Sequence, residues 1–593
     1  MTDAADWPER PEPSAGNSVF GSDAIAELVR AQGYRWIALN PGASFRGLHD
    51  SLVNHLGNEA PRILLCLHEN IAVSLAQGYA KACEEPMAVA LHSNVGLLNG
   101  AMAIFNAWCD RVPMLILGAT GPVDAAKRRP WIDWLHTVQD QGALVRHFVK
   151  WDAQPASIEA AFEALLRADI LLRAAPRAPV YVTLDAALQE QPLPGMPPIP
   201  DPRRFAGPSP AVPAPADAAR AARWLQEARR PVILAGRVSR DPAAWARRVA
   251  LAEALGARVL TSGNLAAAFP TDHPLCPARP GAFLDAASAA LLREADVVLS
   301  LDFLDLAGTL RQAGEVAARV IHCSLDHLLH NGFGAEHQAL PRLDLHLACE
   351  PDIAAAAIAD ALGVGPGTPP PALPAKPADP MPPEDAPLDV RRLAAAMGAA
   401  LAGDPVCLVR VPLGWHHESW HFRHPLDALG NDGGAGIGGG PGMLVGAALA
   451  LKGSGRIPVG VLGDGDTLMG IQAFWTAARY RIPLLAVVAN NRSFFNDEVH
   501  QERVARQRGR PVGNKWIGQA ITGPDIDIAA LARAQGIEGI GPVHTAGELR
   551  AAVAEGVALL KRGRAVLVDA RVAPGYSAAM TAGLTREAGR GSA

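Results

Sequence analysis

The sequence predicts an α/β protein of three domains, each a parallel sheet covered by helices on both faces. Length is the first reason: 593 residues exceed one hydrophobic core, and roughly 100–200 residues per domain gives three. The second is a regular alternation of short apolar runs with Ala- and Leu-rich stretches. The third is a pair of Pro-rich segments that cut the chain into pieces of ordinary domain size.

In the first piece, residues 36–39, 62–67, 87–91 and 114–117 read as buried strands, with helical stretches at 70–83 and 100–108 between them. The middle piece repeats the pattern with PVILAG, ARVLTS, ADVVLSL and ARVIHCS. The last piece does so with DPVCLVRV, RIPVGVLGDGD, IPLLAVVANN and RAVLVDARV. The Pro-rich stretches lie at 191–217 and 365–387 and continue neither helix nor central strand. The expected domains are therefore 1–190, 218–364 and 388–593, with 191–217 and 365–387 as linkers. Ligands of such sheets sit beyond the carboxyl ends of the strands, so the residues just after each run carry the information.

Composition narrows the partners. The formal net charge of −5 gives no reason to expect nucleic acid or an anionic membrane. No apolar run reaches the roughly 18 residues of a membrane span, and the polar, Pro-bearing start lacks a signal peptide's apolar stretch. Seven scattered cysteines without CxxC spacing read as buried thiols of a reducing compartment. A cytoplasmic protein is the expectation.

After the run IPVGVL come Gly463, Asp464, Gly465 and Asp466; one β–α–β length later, after IPLLAVVA, come Asn490 and Asn491. That spacing puts both ends on the same edge of one sheet. Asp464 offers a carboxylate and Asn491 an amide oxygen, hard ligands suited to Mg²⁺. The glycines let backbone N–H groups approach a diphosphate at the start of a helix. Upstream, residues 434–439 match GxGxxG, but a dehydrogenase needs a strand immediately before it, and HPLDALGND is none.

GDG followed some two dozen residues later by NN resembles the motif of thiamin-diphosphate-dependent enzymes, here the decarboxylase and acetohydroxyacid synthase branch. The resemblance covers nearly the whole chain, as pyrimidine-binding, central and diphosphate-binding domains. It implies that Asp464 and Asn491 bind Mg²⁺ through side chains and Ser493 through its carbonyl. Gly463, Gly465, Asp466, Ala435, Gly436 and Asn99 would line the cofactor. Ile437 would be the bulky residue that bends it.

The same resemblance bears on the first piece. The run ILLCL ends at His68, Glu69 and Asn70; a glutamate in this place hydrogen-bonds N1′ of the aminopyrimidine and drives cofactor activation. A glutamate at a helix start could equally be a charge stabilised by the dipole. The segment LHSNVGLLNGAMAIFNAW resembles benzoylformate decarboxylase over its whole length, so His92 corresponds to an active-site histidine able to relay protons. The turn NPGAS resembles that family's substrate loop, with Ala43 where the family has serine and Ser44 next. Gln139 resembles an acetohydroxyacid synthase glutamine, and Phe494 and Phe495 are expected to shape the substrate pocket. His417 and His421 have helical spacing but no convincing zinc signature.

The function so implied is decarboxylation of a 2-oxo acid, carboligation of the resulting enamine to a second carbonyl, or both. An acetolactate-synthase-type transfer, and a C–C lyase or hydrolase acting on another carbonyl substrate, stand as alternatives. FAD is not expected, because CPARPG replaces the glycine-rich turn of flavin-binding relatives. A non-catalytic homologue would lack the intact set of Glu69, Asp464 and Asn491. By the resemblance the assembly is a homodimer at least, with a homotetramer expected, and Glu69 and Asp464 of one site are contributed by different chains.

Overall fold

The computed structural model describes residues 7–13, 16, 18–278, 281, 283–328, 339–365, 380–431 and 433–575. Three parallel sheets follow one another along it. The first contains β1 (Trp36–Leu39), β2 (Arg62–Leu65), β3 (Met87–Leu91), β4 (Met114–Thr120), β5 (Asp152–Ala153) and β6 (Pro179–Asp185) in the order β2-β1-β3-β4-β6-β5. The second contains β7 (Pro231–Ala235), β8 (Arg258–Thr261), β9 (Val297–Leu301), β10 (Arg319–Cys323) and β11 (Leu345–Leu347) in the order β8-β7-β9-β10-β11. The third contains β12 (Val406–Arg410), β13 (Ile457–Gly463), β14 (Leu485–Asn490), β15 (Glu538–Val543) and β16 (Val566–Arg571) in the order β12-β13-β14-β16-β15. The central strands are mostly apolar because helices bury both faces; β3, β4 and β14 have no exposed residue.

The first Pro-rich stretch contributes no strand to these sheets. Pro192–Leu193 forms a two-residue antiparallel ladder with Val19–Phe20. Its end is already helical, because Pro215 opens a helix that runs to Glu227, proline being suited to the first helical turn. Residues 366–379 of the second stretch lie outside the described residues. No helix among the described residues is long and apolar enough to cross a membrane.

In the central sheet the chain reverses direction across β7 and β9, the place where doubly wound sheets bind ligands. Ion pairs line it here. Arg237, just after β7, donates to both carboxylate oxygens of Asp302 at 2.9 and 3.0 Å and also pairs with Asp326. Arg111 from the first domain reaches Asp326 at 3.0 Å.

Three helices position the site: α1 (Glu69–Cys83), α2 (Ser93–Cys109) and α3 (Gly440–Leu451). α1 and α3 cross face to face. Ser74 and Gly78 on α1 meet Gly442 and Gly446 on α3, small residues four apart and so on one face of each helix. A Cβ on Gly78 would overlap the Met443 carbonyl, and one on Gly446 the Leu75 carbonyl. The backbones therefore touch, and this crossing joins the first and third sheets into one body.

Candidate active site

Two clusters meet across the turn that precedes α3. The first sits on the third sheet. β13 and β14 are neighbours with Gly463 opposite Ala489, so Asp464 and Asn491 emerge side by side, as the motif spacing implies. Asp464 Oδ2 and Asn491 Oδ1 both accept from the Ser493 N–H, at 3.1 and 3.0 Å, which brings two hard oxygens to one point. Asp464 is buried, and burial pushes its carboxyl above the usual range against the pull of nearby backbone N–H groups. A divalent cation would offset that cost.

This cluster opens into a cavity of about 1090 Å³ lined by Ala435, Ile437, Gly463 to Asp466, Asn491, Ser493, Phe494 and Phe495. Gly463 has open space where a Cβ would stand, and Ile437 is 41% exposed. Carboxylate, amide oxygen and an open glycine backbone fit a magnesium diphosphate. Asp466 is otherwise engaged. Its Oδ1 accepts from Gly438 N at 2.6 Å and Gly440 N at 3.3 Å, and Arg410 stands 3.3 Å from Oδ2. It fixes the turn that presents Ile437.

The second cluster sits on the first sheet. The chain reverses direction at β1 and β3, so the loop after β1 and the start of α2 share one crevice. Ser44 Oγ lies 2.8 Å from His92 Nδ1. The His136 ring meets His92 edge-on at 4.6 Å. Burial first, then His136, hold the His92 pKa below the ordinary histidine value, while Glu69 pulls it up. Glu69 is 7% exposed at the first turn of α1, and Asn99 Nδ2 donates to its Oε2 at 3.1 Å. Asn99, expected at the cofactor, thus reaches the glutamate.

The two clusters are joined at one residue, Gly438. Asn70 Nδ2 donates to the Gly438 carbonyl at 3.4 Å while Asp466 holds the Gly438 N–H. Asn106 on α2 grips Gly436 from both sides, Nδ2 to its carbonyl at 3.1 Å and Oδ1 from its N–H at 3.3 Å. Ala435 takes the left-handed conformation there, φ +54°. A single chain thus brings its own Glu69 helix against its own Ile437 turn. Within one chain the glycine-lined α1–α3 crossing lets the two domains touch; the expected division of Glu69 and Asp464 between two chains concerns the assembly.

Several expected residues lie apart. Ser44, Glu69, His92, Asn99 and Gly436 do not line the cavity, and Ala43 and Gln139 are exposed as well as outside it. Gln139 follows His136 by three positions, and the buried glutamine of that segment is Gln141, which donates to the Tyr181 hydroxyl at 2.6 Å. In the His-rich segment, Trp420 Nε1 donates to the Ala394 carbonyl at 3.0 Å, and burial lowers His417 to about 4. Among the described residues no group of three His, Cys, Asp or Glu could hold a metal. Sequence reasoning missed the Asn106 clamp, the Asn70 bridge and the Ser44–His92 bond. Each is a contact between segments distant in sequence, and no local pattern announces it.

Sheets, cavity and paired oxygens together define a cofactor-dependent enzyme of the diphosphate-binding α/β type. Models of the thiamine pyrophosphate enzymes match in succession: the N-terminal TPP binding domain over residues 20–144, the central domain over 218–329 and the C-terminal TPP binding domain over 412–570. The chain belongs to this family. It is 27% identical over 548 residues to the benzoylformate decarboxylase of Pseudomonas aeruginosa, covering 87% of this chain and 93% of that one. It is 31% identical over 288 residues to the acetolactate synthase large subunit of Mycobacterium tuberculosis, covering 46% and 47%. The thiamine diphosphate-dependent 4-hydroxybenzoylformate decarboxylase of Rhodococcus jostii RHA1 has the same fold, with a TM-score of 0.74 at 22% identity over 94% of this chain and 100% of that one.

Proposed function

We propose that this protein is a thiamin-diphosphate- and Mg²⁺-dependent lyase that removes CO₂ from a 2-oxo acid and then protonates the product or joins it to a second carbonyl. The observation that carries this reading is the convergence of Asp464 and Asn491 on one N–H at the floor of the cavity, in a chain of this family. When bound, the cofactor supplies a carbon that adds to the substrate carbonyl and accepts the electrons released with CO₂.

The chain's own residues do the rest. Asp464, Asn491 and Ser493 hold the cation, and the Gly463–Gly465 backbone approaches the diphosphate. Asp466 fixes the turn, and Ile437 on it would pack against the bound cofactor. Glu69 would hold the aminopyrimidine of a bound cofactor by a hydrogen bond and supply the acid–base group beside it. His92 addresses the substrate oxygens, and Phe494 and Phe495 wall the substrate space. Ala43 and Gln139 belong, on this reading, to its rim. The 31% identity to an acetolactate synthase favours a second reading for the later step, in which the acceptor is another carbonyl compound and the enzyme is a transferase.

The test is to incubate holoenzyme with a panel of 2-oxo acids, with and without acceptor aldehyde, and follow CO₂ and products by mass spectrometry. CO₂ with an aldehyde product supports the lyase, and a 2-hydroxyketone formed only with acceptor supports the ligase. No CO₂ from any member would overturn both.

The reading includes assembly as a homodimer or homotetramer in a reducing, cytoplasmic setting, where all seven cysteines stay unpaired. Apolar side chains stand exposed around Glu69 and the cofactor turn: Leu67, Val95, Leu98, Met102 and Met469. A second copy would cover them. An α1–α3 crossing exchanged between two copies would also give the two-chain site that the resemblance implies. Sedimentation at micromolar concentration should therefore give at least twice the chain mass. A monomer that still turns over substrate would sink the assembly.

A further inference from the structure

Three donations fix the buried edge of His92. Ser44 Oγ lies 2.8 Å from Nδ1, and the Ser44 backbone N–H donates to the same nitrogen at 3.4 Å. The Ser93 backbone N–H donates to Ser44 Oγ at 3.1 Å. A backbone N–H only donates, so Nδ1 is the bare nitrogen of the ring. Ser44 Oγ already accepts from Ser93, so its own proton turns to Nδ1.

We infer that Ser44 is a positioning residue that locks His92 in the neutral Nε2–H tautomer, so that His92 is a fixed donor to a substrate oxygen rather than a proton shuttle. The inference rests on the proposed reading that His92 faces substrate.

The surroundings are built for this bond. Ser44 is buried, and Gly42 lies so close beneath the ring that a Cβ there would overlap the His92 Cβ. Ser93 takes a left-handed φ of +41° directly after His92, which sets its N–H on the Ser44 hydroxyl. A proton added at Nδ1 would face the Ser44 N–H and displace the hydroxyl's donation, so the arrangement opposes the imidazolium. The other groups facing the ring are His136, edge-on, and the Glu69 carboxylate. Protonated, His92 would lose its anchor; neutral, it keeps the Nε2–H free for substrate.

The test uses holoenzyme with ¹⁵N-labelled histidine. At neutral pH the His92 ring should show Nδ1 unprotonated and Nε2 protonated. Ser44→Ala removes a donor to the neutral form. Its His92 spectrum should become a mixture of tautomers, and the acid limb of kcat/KM should move up by about one pH unit. Ser44→Thr keeps the hydroxyl and should restore both. A wild-type ring protonated at Nδ1, or an S44A variant with unmoved tautomer and acid limb, overturns the inference. The wild-type spectrum and S44T decide the matter even where S44A does not fold. The ring spectrum needs no turnover, so a failed 2-oxo acid panel with this tautomer in place counts against the function alone.

Discussion

Glu69→Gln is expected to lower turnover by roughly 10²-fold or more, the loss typical of a positioned acid–base group. Thiamin diphosphate should still bind, because Asp464, Asn491 and Ser493 are untouched. Glutamine has nearly the shape of glutamate, and its amide oxygen can still accept from Asn99, now 3.1 Å from Oε2. Losing a negative charge at the first turn of α1 costs about 0.3–1 kcal/mol, too little to unfold the chain. What disappears is the acidic proton offered to N1′. The decisive measurement is C2 hydrogen–deuterium exchange of the bound cofactor, read by acid quench and NMR. Exchange as fast as in wild type would reduce Glu69 to a helix-terminal charge.

Asp464→Ala should separate binding from stability. A direct charged ligand should cost more than the roughly 10–100-fold in metal affinity typical of an outer partner, so the variant should leave gel filtration without Mg²⁺ or cofactor. The cofactor-free fold should respond differently. Burial raises the Asp464 carboxyl pKa, so the folded chain binds that proton more tightly than the unfolded chain does. The ionised form therefore costs stability, and the cost is present above the folded pKa and relieved as pH falls through it. Removing the group should leave the Tm of the cofactor-free protein at neutral pH unchanged or higher. The Tm rise that wild type shows on adding Mg²⁺ and thiamin diphosphate should vanish. A retained rise would place the cation elsewhere.

Much of this was legible in the sequence, and the reason is physical. The central strands are continuous apolar runs because both faces are buried, and the runs at 36–39, 87–91 and 457–463 announced β1, β3 and β13. Of the edge strands, β2, β8 and β12 were legible and β5, β11 and β15 were not. β5 has two residues, and β15 reads EGIGPV, where glycine and proline dilute the apolar signal. In the site, Asp464 and Asn491 were found because their chemistry and spacing are local to one β–α–β unit. Asp466 was read as a cofactor ligand, and its grip on Gly438 depends on how an upstream turn folds back. Ser44 was visible as a polar residue after a strand. That it serves His92, 48 positions away, follows only once β1 and β3 are neighbours.

The α1–α3 crossing also governs when the site comes into being. Asn70 and Gly438 are 368 positions apart in sequence, and the central sheet lies between them. Contacts of such separation form late, because the entropy of closing so long a loop must be met before any of them adds stability. Each domain can acquire its own sheet early, yet within a chain the Glu69 helix and the Ile437 turn meet only once two glycine-bearing helices have found their register. On the proposed reading, a nascent or partly folded chain could offer the diphosphate end of the cofactor its Asp464 and Asn491 side, while the Glu69 side would come into place only at the last step of folding.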